Sequence, residues 1–116
     1  MAGSYTNSGK DAMLDHLASL VGYVSLHSSS TASSSNELSG GEYSRQSIEF
    51  GSASDGEIKS SNEPEFQVPG GSTVSSVGFW SSETGGTLYG YAEVDAETYA
   101  NDGLYRVQSA SLDLNK

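Results

Sequence analysis

The chain has 116 residues, of which 15 are acidic and 5 basic, giving a net charge of −10. That length is one domain, and the acidity disfavours binding to nucleic acid or to anionic membranes. The absence of cysteine excludes a disulfide framework and thiolate metal sites, and the low hydrophobic content of 34% implies either a thin core or stability drawn in part from neighbouring subunits.

Residues 1–7 are small and polar and read as an extended arm ahead of a single β-rich domain, 8–116. The first ten residues hold no apolar stretch of the kind found in a secretory leader, and no segment approaches the ~18 apolar residues of a membrane span. Ser8 with Asp11 three positions on forms a weak capping box. Leu14, Leu17, Ala18 and Val21 then make one apolar stripe, and Gly22 is a natural terminator, so a helix is predicted over about 9–21. Tyr23–His27 alternates, with Val24 and Leu26 on the inner face and Tyr23, Ser25 and His27 on the outer one, as in a half-buried strand. The run 28–35 is almost entirely Ser, Thr and Ala and is expected to form a flexible loop.

From Ser44 onward the pattern is strands and turns. Gln46, Ile48 and Phe50 oppose Arg45, Ser47 and Glu49. Asp55-Gly56 is a turn signal before a short strand at Ile58. Glu65–Val68 turns Phe66 and Val68 inward and ends at Pro69-Gly70-Gly71. Thr73–Trp80 places Val77 and Phe79 on one face and Val74 and Trp80 on the other. Glu83-Thr84-Gly85-Gly86 connects it tightly to Leu88–Val94, where Leu88, Gly90, Ala92 and Val94 share a face opposite Tyr89 and Tyr91. Residues 95–103 read as an acidic loop. Tyr105 and Val107 are in phase, whereas Leu112 and Leu114 have the opposite parity, which requires a bulge or bend near Ser109–Ser111. Six to eight short strands and one helix predict a mainly β, antiparallel sandwich or jelly-roll-like fold.

No residue stands out as catalytic, cofactor-binding or metal-binding. The two histidines, His16 and His27, lie apart, and no nucleophile elbow is present. Glu93, Asp95, Glu97 and Asp102 could offer hard oxygen ligands to calcium but fit no EF-hand spacing, and a solvated acidic loop is the simpler reading. Gly85-Gly86 lies between two strands, so turn geometry explains it better than phosphate binding. Tyr23, Tyr43, Tyr89, Tyr91, Tyr99 and Tyr105 with Trp80 could form a sugar-stacking or protein-contact surface, or simply be ordinary strand residues.

Three segments carry a resemblance: Ser39-Gly40-Gly41-Glu42-Tyr43-Ser44-Arg45-Gln46; Gly56 through Pro69, with Ser61-Asn62 and Phe66-Gln67-Val68-Pro69; and Thr73 through Trp80 running to Gly85-Gly86-Thr87-Leu88. With Thr6-Asn7-Ser8-Gly9-Lys10 they span nearly the whole chain. The chain resembles a family of small virion proteins of tailed phages, mostly phages of actinobacteria, whose members are labelled tail fibre, minor tail or head decoration proteins. Ser76 stands where many relatives carry His, so any role of that His is absent here. The resemblance implies a structural role without enzymatic activity and carries over no catalytic residue and no cofactor.

The leading expectation is a capsid decoration protein, made in the host cytoplasm and displayed on the exterior of the particle. A minor tail or fibre-associated protein follows closely, then a host-glycan-binding module, with an enzyme last. The partners expected are the major capsid protein or other virion proteins and further copies of the chain, a trimer being one arrangement, with no nucleic acid and no membrane.

Overall fold

A computed structural model describes residues 3–108 and 110–114. A helix, α1 (Asn7–Leu20), precedes β1 (Tyr23–His27), β2 (Gln46–Ser47), β3 (Glu57–Lys59), β4 (Glu65–Val68), β5 (Thr73–Trp80), β6 (Leu88–Thr98), β7 (Gly103–Arg106) and β8 (Ser111–Asp113). The strands form a four-stranded sheet in the order β2-β1-β5-β6 and two ribbons, β3-β8 and β4-β7. Every pairing is antiparallel, so the fold is mainly β with one N-terminal helix, as the sequence pattern predicts. The core lies between the sheet and the ribbons: Val24, Leu26, Val77 and Phe79 from the sheet meet Phe66, Val68 and Val107, with Ile48 and Val21 beside them.

The helix begins two residues earlier than the 9–21 expected. Thr6, not Ser8, is its N-cap, and the Thr6 hydroxyl accepts from the Gly9 N–H at 3.1 Å. Gly22 does not terminate the helix in the left-handed region. Its N–H donates to the Trp80 carbonyl and its carbonyl accepts from the Ile48 N–H, both at 3.0 Å, so it joins the edges of three segments instead. Leu14 and Val21 are buried, while Leu17 and Ala18 are half-buried. Two carboxylates fasten α1 to the β3 turn: Asp11 accepts from the Gly56 N–H at 2.8 Å and Asp15 from the Ala53 N–H at 2.9 Å. Asp11→Ala is expected to cost about 1 kcal/mol in urea unfolding, and Asp15→Ala less because its bond is exposed. Faster amide exchange at Gly56 alone in the first variant would report the broken tie.

Turn chemistry is realised closely at residues 54–57. Asp55 and Gly56 both take left-handed φ values, 54° and 77°, and Ser54 and Glu57 exchange backbone hydrogen bonds of 2.8 and 3.0 Å. That is the two-residue turn whose twist suits a hairpin. In β4, Phe66 and Val68 point inward as expected.

Other assignments shift. The strand expected over 44–50 shortens to β2, and Arg45 is buried although its parity put it outside. The β5–β6 hairpin has register irregularities between Val74 and Ser76 and between Phe79 and Trp80. Val74 accordingly joins the core cluster with Val77 and Phe79, whereas Trp80 does not. Leu88 pairs with Trp80 while Gly90 pairs with Phe79, so Leu88 lies on the face opposite Gly90 and Ala92. The irregularity at the start of the strand defeats the simple alternation. β6 also continues through Thr98, where a loop from Asp95 was expected.

At the C-terminal end the chain changes ribbons. The Val107 N–H donates to the Pro64 carbonyl, and the Ala110 carbonyl accepts from the Ser60 N–H, each at 2.8 Å. Leu112 packs against the core, whereas Leu114 is exposed. The bend expected near Ser109–Ser111 falls partly on Ser109, which lies outside the described residues.

Candidate functional site

The face of β1 that carries Ser25 and His27 was read as the outer one of a half-buried strand, yet Ser25 and His27 are each 0% exposed, as is Ser76 beside them on β5, and Trp80 is only 4% exposed. Alternation makes these side chains neighbours. The β1–β5 register sets Ser25 opposite Gly78 and His27 opposite Ser76, with Trp80 one step along the same face. Gly78 makes room for them. A Cβ at that position would sit 2.8 Å from both His27 Nε2 and Ser25 Oγ, and 3.0 Å from Leu88 Cδ1.

The polar atoms form one directed chain. Trp80 Nε1–H donates to Ser25 Oγ at 2.6 Å, Ser25 Oγ is 2.6 Å from His27 Nε2, and His27 Nδ1 is 2.7 Å from Asn36 Oδ1. Asn36 Oδ1 also accepts from the Ser33 N–H and its amide donates to the Thr31 carbonyl, which fixes the oxygen toward the histidine. The consistent tautomer therefore carries its proton on Nδ1, and Ser25 donates to Nε2. The Ser25 hydroxyl also lies 3.4 Å from the Gly78 carbonyl, a second and longer acceptor.

Asn36 also organises the Ser-rich stretch. Its carbonyl accepts from the Ser28 N–H at 3.0 Å, while Ser76 Oγ donates to the Ser29 carbonyl at 2.6 Å. Ala32 is buried beneath this turn. The position that the resemblance marks as departing from His is thus a serine that ties the 28–35 stretch to β5.

A second layer covers Trp80. The Arg45 guanidinium lies 3.7 Å from the indole centroid. Its Nε and Nη2 grip both oxygens of Glu37 at 2.9 Å, and its Nη1 donates to the carbonyls of Ser82 and Gly85 at 2.9 and 2.8 Å. Glu37 also accepts from the Tyr43 hydroxyl, which in turn accepts from the Leu26 N–H. Burial alone would raise the Glu37 carboxyl, but the bonds from Arg45 and Tyr43 and the Arg45 charge outweigh it and hold it below the ordinary value. Burial, with the Glu37 carboxylate beside it, pushes the Tyr43 hydroxyl well above its ordinary range.

Ser25, His27 and Asn36 stand in the order of a nucleophile relay, but the arrangement cannot act as one. Ser25 Oγ is buried and already bonded to the indole, so no substrate carbonyl reaches it. His16, the other histidine, is exposed on α1. The acidic residues do not converge either: Glu93, Asp95 and Glu97 belong to β6, whereas Asp102 accepts from the Gly70 N–H at 2.8 Å.

The aromatic surface is smaller than its composition suggests. Trp80 is covered by Arg45 and stacked near His27, and Tyr43 stacks on Phe66, so neither is available to a sugar. Tyr99 donates to the Leu104 carbonyl at 2.8 Å, and burial plus the Glu97 carboxylate push its hydroxyl up to about 12. Of the residues expected on such a surface, Tyr89 and Tyr91 are exposed, at 39% and 48%.

Burial lowers the His27 pKa from its ordinary 6.5, more strongly than the Asn36 bond and the Glu37 charge raise it. The unfolded chain therefore binds more protons than the folded one just below pH 6.5, so stability is complete above that value and is lost as pH falls. Glu37 adds its own loss only below its ordinary 4.5. Urea unfolding is expected to show lower stability at pH 5.5 than at 7.5, and a His27→Gln variant should lose most of that difference. An unchanged difference in the variant would assign it to other groups.

The segments that carry the resemblance build this region: Tyr43 and Arg45 come from the first, and Gly78, Trp80 and Gly85 from the third. No curated protein and no solved structure matches the chain. A family model described as podophage GP4 fiber I protein gp80 matches residues 5–115, which takes in the helix, the strands of all three sheets and the whole polar network. The chain therefore belongs to the podophage GP4 fiber I protein gp80 family.

Proposed function

We propose that the chain is a non-enzymatic structural component of a tailed-phage particle that serves in or beside a tail fibre. The family match over residues 5–115 carries this reading, because its description names a fibre protein. The geometry agrees with it. The buried polar groups of the outer face are used on one another, and the Arg45 guanidinium has its donors directed to Glu37, Ser82 and Gly85. Such closure suits a rigid building block better than a site that turns over substrate. Display on the particle exterior and association with other virion proteins, including further copies of the chain, belong to the same proposal.

Capsid decoration is the second reading, supported by the small acidic β domain and by the decoration label within the resembling family. Immunogold labelling of intact particles separates the two. Label confined to the tail or its fibres supports the first reading, and label spread over the shell supports the second.

A further inference from the structure

Leu14 is the one buried residue of the 14 in α1. Leu14 and Ile58 of β3 are each 1% exposed, yet neither belongs to the main hydrophobic cluster. β3 is the element against which α1 chiefly packs, and it pairs with β8 in a ribbon separate from the four-stranded sheet. The ties from Asp11 and Asp15 end on the same short stretch, at Gly56 and Ala53 in the turn that leads into β3. Within the helix only Leu17 packs against the main cluster. Little in α1 itself adds to this hold. A 14-residue helix is marginal alone in water. Its first turn carries no acidic residue and its last turn no basic one, so no side-chain charge offsets its dipole at either end.

The chain changes character at Val21. The backbone there is extended, with φ −89° and ψ 117°, and the Val21 side chain belongs to the main cluster. Gly22 follows, bonded to Trp80 on one side and Ile48 on the other. The point where the helix joins the sheet is therefore anchored independently of the helix. We propose that α1 is a hinged latch, which swings away from the β3 turn about Val21 as one unit while the sheet and the main core stay folded. Opening breaks the Asp11 and Asp15 ties and bares Leu14. At about 100° per residue, Met13, Leu14, Leu17 and Leu20 fall within about a third of the helix circumference. Met13 and Leu20 are 38% and 40% exposed in the closed chain, so opening completes an apolar face that is already partly bare. The inference is independent of the function proposed above.

The chain has no cysteine, so a single introduced thiol reports its own exposure. Leu14→Cys and, as a core reference, Val24→Cys are made in the full chain, each alone and with Val77→Ala. Their reaction with a thiol reagent is timed under native conditions, and Trp80 fluorescence follows the fold of the sheet. Val77 is 2% exposed within the main cluster, so Val77→Ala lowers global stability and should speed labelling of the Val24→Cys thiol about tenfold. The Leu14→Cys thiol is expected to react at least about tenfold faster than the Val24→Cys thiol, at a rate that Val77→Ala leaves unchanged, because the core is intact before and after opening. Acceleration of both thiols by the same factor would show that the helix leaves only when the whole chain unfolds, and would overturn the proposal. Where Leu14→Cys loosens the helix outright, immediate reaction with native Trp80 fluorescence supports the latch. Loss of native fluorescence in that variant overturns it, since helix and sheet would then fold as one.

Discussion

Arg45→Ala is expected to destabilise the protein by about 3–5 kcal/mol, the largest effect of any single polar substitution outside the apolar core. The Arg45 side chain is 8% exposed and that of Glu37 17%, so removing the guanidinium leaves a nearly buried carboxylate with only Tyr43 to serve it. The carbonyls of Ser82 and Gly85 lose their shared donor, and the β5–β6 connection loses its tie to the first half of the chain. The indole of Trp80 also loses its cover. Arg45→Lys keeps the charge but cannot grip both carboxylate oxygens and both carbonyls at once, so it should recover less than half of the loss. Changing both partners, Arg45→Met with Glu37→Leu, should cost much less than Arg45→Ala alone, because no buried charge is stranded. Urea denaturation followed by Trp80 fluorescence measures all three. A loss below about 0.5 kcal/mol for Arg45→Ala would place the pair among surface ion pairs of little consequence.

Gly78→Ala is expected to be strongly destabilising for the addition of a single methyl group. Gly78 does not occupy the left-handed region, so the constraint is steric: the new methyl would meet His27 Nε2 and Ser25 Oγ at 2.8 Å. Overpacking of this kind costs about 1–3 kcal/mol. Separating Ser25 from His27 adds a penalty of the same order, because a buried donor or acceptor is left unmet. Gly90→Ala, one strand over, is the natural control, since its Cβ would meet only Leu112 Cδ2 at an ordinary 3.9 Å. Near-UV circular dichroism should change for Gly78→Ala, through displaced Trp80, and stay unchanged for Gly90→Ala. Equal stability of the two variants would contradict the close packing assigned to β1 and β5.

Much of the framework is legible in the residues themselves. Tyr23–His27, Glu65–Val68 and Thr73–Trp80 are found as strands at the positions their alternation predicts, because short strands bounded by Gly, Pro and Asp turns leave little choice of register. The polar network is not legible in this way. Ser25 and His27 occupy the polar phase of an alternating strand, which ordinarily means solvent, and only long-range partners bury them. Asn36, Glu37 and Arg45 come from segments that look like loop or outer face, and their roles depend on contacts 8 to 40 positions away in sequence. One local sign was available: Gly78 in the middle of an apolar strand signals a close approach, and the groups that approach are those of the network. Leu88 was misplaced for a related reason, since a register irregularity beside a hairpin turn leaves no mark in a period-two pattern.

The chain belongs to a phage fibre protein family, and the function proposed from it is that of a building block of the phage particle at its fibres. Quantitative mass spectrometry of purified particles, comparing this protein with the major capsid protein and with the tail proteins, tests that claim most directly. A handful of copies per particle, in fixed ratio to the tail proteins and retained in purified tails, is the result expected. Copies approaching those of the major capsid protein would move the chain to the shell, and complete absence from purified particles would contradict the structural reading altogether.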